Sequence, residues 1–169
     1  MKSIVVYCSQ TGFTKRYAQW IAQELGCEAI ALRQNPDVSA AECVIFGSWC
    51  RAGSVVNLPW LLKAAKDHPY KRFVVFATGA APAQAPQGQE IVDKALSGSG
   101  IAGFYLPGGL CYEKMPFVYR MAMKMLAKML RAKKNAAPED LAMAEMISKD
   151  CDQTDKALIV PLVEWVKGK

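Results

Sequence analysis

The sequence predicts a doubly wound α/β fold on a five-stranded parallel sheet. Short apolar runs rich in β-branched and aromatic residues recur along the chain, at 3–8, 42–47 (ECVIFG), 72–77 (RFVVFA) and 101–106 (IAGFYL), with a weaker one at 27–32. They are continuous rather than alternating, as strands covered on both faces are. Helical patterns lie between most of them, and that alternation implies right-handed crossovers.

The elements follow in order. The first strand, Ile4-Val5-Val6-Tyr7 at its centre, runs into the turn Ser9-Gln10-Thr11-Gly12-Phe13-Thr14. A helix over 14–25 follows, with Tyr17, Ala18, Ile21, Ala22 and Leu25 at helical spacing and Gly26 as its stop. Segments 58–66 and 87–97 supply two more helices. A last helix spans 155–167, after the cap Thr154 and before Gly168. The stretch 107–152 breaks this rhythm. It holds a Pro-Gly-Gly loop, a strong helical pattern from Phe117 to Lys134, a break at Asn135-Ala136-Ala137-Pro138 and a further helix to about Lys149. Residues 1–169 are expected to form one domain carrying 107–152 as a helical insertion.

The chain has 169 residues, enough for a sizeable core, and its 52% hydrophobic and 21% charged composition is that of a globular protein. No stretch approaches the roughly 18–20 uninterrupted apolar residues of a membrane span. One Lys, a short apolar run and then polar residues do not make a secretory signal at the N-terminus, so a cytoplasmic location is expected. The six cysteines form no C-x-x-C pair, and His68 is the sole histidine, which argues for reduced thiols and against a metal site. The net charge of +6 is concentrated in 114–134, with Lys114, Arg120, Lys124, Lys128, Arg131, Lys133 and Lys134. No aromatic-interleaved basic patch accompanies it, so a nucleic-acid partner is not expected.

A turn from a strand's carboxyl end into a helix is where α/β folds bind phosphate, because the helix start offers unpaired N–H groups and partial positive charge. Hydroxyls of Ser9, Thr11 and Thr14 can donate to a phosphate, and Gly12 lets the backbone approach it. Neither G-x-G-x-x-G nor G-x-x-x-x-G-K is present, which excludes the dinucleotide and P-loop readings. Helix capping alone by Ser9 and Thr14 is the competing account.

The turn resembles the T/S-x-T-G-x-T phosphate loop of the flavodoxins. Gly47-Ser48-Trp49-Cys50-Arg51-Ala52-Gly53 is similar to the loop over one face of their flavin, and Ala77-Thr78-Gly79-Ala80-Ala81-Pro82 sits where the other face is flanked. The resemblance implies FMN as cofactor and the sheet order 2-1-3-4-5. It also implies that Ser9, Gln10, Thr11, Gly12, Phe13 and Thr14 hold the phosphate. By the same resemblance Ser48, Trp49, Cys50, Arg51 and Gly53 cover the ring, while Thr78, Gly79 and Ala80 meet its polar edge. No aromatic residue lies in 78–84, unlike in flavodoxins, which leaves that side of the ring more open to a substrate.

The segment from Gly108 to Tyr112, followed by Tyr119–Met125, resembles the inserted basic helix of the menaquinone-dependent protoporphyrinogen oxidases. That likeness implies a quinone-linked or protoporphyrinogen-type dehydrogenase. A flavodoxin-like shuttle serving a redox partner protein is the alternative, and a non-redox interaction module the third reading. On the predicted 117–134 helix, Arg120, Lys124, Lys128 and Arg131 form one basic stripe and Met121, Met123, Met125, Leu126, Met129 and Leu130 take the rest. Two accounts of this helix stand open: packing on the domain with its stripe in water, or peripheral contact between 114–134 and anionic lipid.

Overall fold

The structure, a computed structural model, describes residues 1–133 and 137–168, with backbone alone at Glu139. Lys134 and the expected break at Asn135-Ala136 lie outside the described residues. Five parallel strands form the main sheet: β1 (Ser3–Tyr7), β2 (Glu28–Ala31), β3 (Cys43–Arg51), β5 (Arg72–Gly79) and β6 (Ala102–Pro107). Their order is β2-β1-β3-β5-β6, so the sequence order reverses between β1 and β3, as expected. The two-residue strand β4 (Ser54–Val55) turns back antiparallel on the end of β3.

Successive residues of each central strand feed opposite faces. On one face Val5, Ile45, Val74 and Phe76 pack with Tyr17 and Ile21 of α1 (Phe13–Leu25) and Leu162 of α6 (Val160–Lys167). On the other, Val6, Phe46 and Val75 meet Leu58 and Leu61 of α2 (Leu58–Asp67) and Val92 and Leu96 of α3 (Pro86–Leu96). Full burial of each such side chain contributes about 1.5–3 kcal/mol of transfer free energy. This two-sided demand is why the strands read as unbroken apolar runs.

Two boundaries differ from expectation. The third strand was expected to stop at Gly47 but continues to Arg51, where Cys50 pairs with Val55 and Arg51 with Ser54. The turn between them is Ala52-Gly53, with φ of 47° and 77°, the left-handed pair of a tight hairpin. The last helix begins with a 3₁₀ turn, Lys156–Ile159, capped by Asp155 rather than Thr154. The Asp155 carboxylate accepts from the Ala157 N–H at 2.8 Å.

After β6 the chain leaves the sheet for the insertion. Its ends are closed by a short antiparallel ribbon, β7 (Gly109–Leu110) with β8 (Cys151–Asp152). A Cβ at Gly109 would stand 2.0 Å from the Cys151 carbonyl oxygen, so only glycine fits there. Between the two strands stand α4 (Phe117–Ala132) and α5 (Pro138–Met146), packed together through Leu130, Ala127, Ala144 and Ile147. Tyr17 fastens this module to the sheet. Its hydroxyl donates to the Pro107 carbonyl at 2.8 Å and accepts from the Asp155 N–H at 3.1 Å. Arg16 adds an ion pair to Asp152 at 2.5 Å. Burial works against the Asp152 carboxylate, but hydrogen bonds from the Thr154 hydroxyl, Arg16 and the Thr154 N–H outweigh it and lower its pKa. No helix among the described residues is long and apolar enough to cross a membrane.

Candidate functional site

The carboxyl ends of β1, β3 and β5 converge where the strand order reverses, the place at which open α/β sheets bind ligands. Gly12 opens α1 with φ 103°, a left-handed start that glycine adopts freely. No side chain caps this helix, and no acidic residue lies in its first turn. A Cβ at Gly12 would meet nothing within 4 Å, so the turn faces open space. Ser9 serves the turn itself: its hydroxyl accepts from the Gly12 N–H at 3.2 Å. An uncapped helix start offers unpaired N–H groups and a partial positive charge.

Thr14, Ser48 and Thr78 are the buried polar residues among those described, and they form one chain across the three loop roots. The Thr14 and Thr78 hydroxyls lie 2.8 Å apart, and Thr78 donates to the Ser48 carbonyl at 3.4 Å. The Ser48 hydroxyl donates to the Val56 carbonyl at 2.5 Å. These hydroxyls lock α1, β3 and β5 together at the site, a framing role that a motif of single hydroxyls does not reveal.

Beside this frame lies a hollow of about 280 Å³. Gln10, Thr11, Phe13 and Thr14 line it from the first loop, Trp49, Cys50 and Arg51 from β3, and Thr78, Gly79 and Ala80 from β5. Of the sequence-expected residues, Ser9 and Gly12 face a neighbouring cleft instead, Ser48 lies beneath, and Gly53 sits at the exposed hairpin tip. Tyr105, below the loop after β5, donates from its hydroxyl to the Ala81 carbonyl at 2.9 Å and so fixes that loop.

The insertion supplies the rest of the lining, through residues that the sequence reading did not name as site residues. Met115, Tyr119, Met123 and Leu126 reach the hollow from around α4, and Met143 and Met146 from α5. Methionine suits such a lining because it is apolar, flexible and adaptable in shape. The insertion is latched to β3: Arg51 donates to the Tyr119 hydroxyl at 2.8 Å, and the Trp49 and Tyr119 rings meet edge to face at 6.2 Å. At its base the Gln153 side-chain amide donates to the Ala80 carbonyl at 2.9 Å. The signal in the sequence was the methionine-rich pattern itself, which reads equally as core.

Two of the four cations on α4 are hydrogen-bonded within the insertion. Arg120 turns back to the Met115 carbonyl at 3.2 Å, and Arg131 donates to the Ser148 hydroxyl at 2.7 Å and the Ala144 carbonyl at 3.3 Å. Lys124 and Lys128 remain exposed, beside an outer face of Phe117, Val118, Met121, Met125 and Met129.

Cys50 borders the hollow, and burial pushes its thiol up to about 11. It is therefore neutral at physiological pH and a poor nucleophile. Cys50→Ala is expected to retain ligand binding and redox turnover; a loss of either, measured by absorption titration and steady-state assay, would give the thiol a chemical role.

The "Flavodoxin domain" family matches the chain over residues 4–137. Among solved structures, the chain is similar to a flavodoxin from the domain Archaea at 17% identity, covering 99% of both chains with a TM-score of 0.48. It is similar to the flavodoxin, WrbA-like protein from Agrobacterium tumefaciens at 16% identity, covering 86% of this chain and 94% of that one, TM-score 0.48. It is also similar to rubredoxin oxygen:oxidoreductase from Desulfovibrio gigas at 13% identity, covering 99% of this chain and 37% of that one, TM-score 0.47. No curated protein matches it significantly in sequence. With these TM-scores the assignment rests on the family match.

Proposed function

The chain belongs to the flavodoxin-domain family, and we propose that it passes electrons between FMN and a flat, apolar acceptor of the quinone class. FMN binding and a redox role come with the family; the acceptor is our reading. The residues fit the cofactor. The uncapped α1 start and the Ser9–Thr14 turn suit a phosphate monoester, and the neighbouring hollow suits a flat ring bordered by Trp49. Bound there, FMN supplies one- and two-electron redox chemistry.

The protein's own residues do the rest. Thr14, Ser48 and Thr78 hold the three loops in register, and Gln10 and Thr11, which line both the hollow and the neighbouring cleft, would contact the bound cofactor. Met115, Met123 and Met146 line the hollow from the insertion and would shield a bound ring from water. No carboxylate or histidine lines the hollow among the described residues, so protons that accompany reduction of an acceptor come from solvent at the mouth.

The observation that supports a quinone is this methionine roof, which an open shuttle does not need. The apolar outer face of α4, edged by Lys124 and Lys128, suits an anionic lipid surface from which such an acceptor would come. The test is steady-state reduction of a short-chain quinone, free and in anionic vesicles, by the FMN-loaded protein re-reduced by an excess chemical electron donor, with the protein-free rate subtracted. Turnover is expected with both presentations, and Tyr119→Phe, which loses the Arg51 bond, is expected to change the KM for quinone by about 3- to 10-fold. Absence of quinone turnover together with rapid reduction of a protein acceptor would favour the shuttle reading. A porphyrinogen assay under the same conditions decides whether that substrate class is also used.

A further inference from the structure

We propose that Gln153, where the insertion returns to the domain, is a positioning residue for the cofactor: its side-chain amide orients one peptide of the loop after β5 so that an N–H faces the ring hollow and favours the reduced cofactor. The loop runs Gly79-Ala80-Ala81-Pro82, and three successive carbonyls in it are each held by a donor from elsewhere. The Gly108 N–H donates to the Gly79 carbonyl at 2.8 Å. The Gln153 side-chain amide donates to the Ala80 carbonyl at 2.9 Å, and the Tyr105 hydroxyl to that of Ala81, also at 2.9 Å.

The middle bond decides what the hollow meets. In a planar trans peptide the C=O and the following N–H point opposite ways, and no cis bond occurs among the described residues. Ala80 and Ala81 line the hollow, whereas Gln153 does not. With the Ala80 carbonyl drawn outward to Gln153, the Ala81 N–H is directed inward. That N–H donates to no backbone carbonyl among the described residues, which leaves it for a ligand. A carbonyl only accepts, so the Gln153 carboxamide must present its NH₂ here. Its backbone is pinned as well. The Gln153 N–H donates to the Gly108 carbonyl at 2.8 Å, and the adjacent Asp152 is ion-paired with Arg16. Ala80 and Gln153 are 73 residues apart, so the sequence carries no sign of the pair.

Reduction makes a flavin ring more electron-rich, and a fixed donor at its edge stabilises the reduced state more than the oxidised one. Without the Gln153 amide the peptide is free to turn, and that preference is lost. The inference rests on FMN occupying the hollow and not on the identity of the acceptor.

The experiment measures the two-electron midpoint potential of the FMN-loaded protein by equilibration with a reference dye, and its affinity for oxidised FMN by fluorescence titration. Gln153→Met keeps the length of the side chain but cannot donate. It is expected to weaken reduced FMN about tenfold more than oxidised FMN, which lowers the potential by about 30 mV. Gln153→Asn, one methylene too short to reach, repeats the test with a polar side chain and is expected to act in the same direction. Tyr105→Phe is the control. The carbonyl it releases precedes Pro82, which has no N–H to turn inward, so the potential is expected to stay unchanged. Equal weakening of both redox states in the Gln153 variants, up to complete loss of FMN, would make the residue structural only and overturn the proposal. An equal shift of potential in Tyr105→Phe would overturn it too. A natural chain that holds no FMN would instead overturn the cofactor assignment beneath it.

Discussion

Thr11→Asp is expected to weaken FMN binding about 10³-fold while leaving riboflavin binding unchanged. Thr11 lies at the turn shared by both concavities, next to the uncapped start of α1. An aspartate there sets a negative charge against the phosphate. At about 4 Å and an effective dielectric of about 20, the repulsion is about 4 kcal/mol per unit charge, which corresponds to about three decades in affinity. Riboflavin lacks the phosphate and is insensitive to that charge. Thr11→Ser, which keeps a hydroxyl, is the control expected to bind FMN within a few-fold of the natural chain. The check is absorption titration of each variant with both flavins. Unchanged FMN affinity in Thr11→Asp would remove the phosphate from this turn, and an equal loss of both flavins would indicate a collapsed loop.

Phe76→Ala is expected to lower the stability of the FMN-free protein by about 3–5 kcal/mol, the cost of losing a buried aromatic ring together with the cavity left behind. Phe76 is fully buried in β5, beside Gly47 of β3. The fit between the two is close: a Cβ at Gly47 would stand 2.1 Å from the tip of the Phe76 ring. Gly47→Ala is therefore destabilising too, by about 1–3 kcal/mol from overpacking. In the double variant the two costs are expected to be less than additive, because the shorter side chain frees the space the new methyl needs. Urea unfolding without FMN gives all three values, and omitting the cofactor keeps its mass-action stabilisation out of the comparison. A loss below about 1 kcal/mol for Phe76→Ala would contradict the packing described for this face of the sheet.

The sheet was the most legible part of the chain. Its central strands are buried on both faces, so Val5-Val6, Val44-Ile45-Phe46 and Val74-Val75-Phe76 had to be apolar throughout. The order of the strands came from the resemblance of the three loops, since pairing partners far apart in sequence leave no periodic trace. The end of β3 was hidden because Trp49-Cys50-Arg51 continues the strand by pairing with a two-residue partner, a tertiary contact with no local pattern. The frame of the site was equally hidden. Thr14 and Thr78 are 64 residues apart, and nothing in either hydroxyl announces the other.

The insertion was legible as helices after the fifth strand, but which of its side chains line the hollow was not. Helical spacing places Met123 and Leu126 on one side of α4, yet a methionine packed on a core and one facing a ligand hollow have the same spacing. Charge was misleading for a similar reason. Arg120 and Arg131 lie at stripe positions, but their long side chains reach back to carbonyls of the insertion, while Lys124 and Lys128 stay exposed.

The account depends on the opening turn gripping a phosphate, and titration of the natural chain with FMN and riboflavin, followed by visible absorption, tests this most directly. Tight FMN binding with riboflavin weaker by orders of magnitude is the expected result. Equal affinity for the two flavins, or binding of neither, would contradict it and leave the turn as no more than the start of a helix.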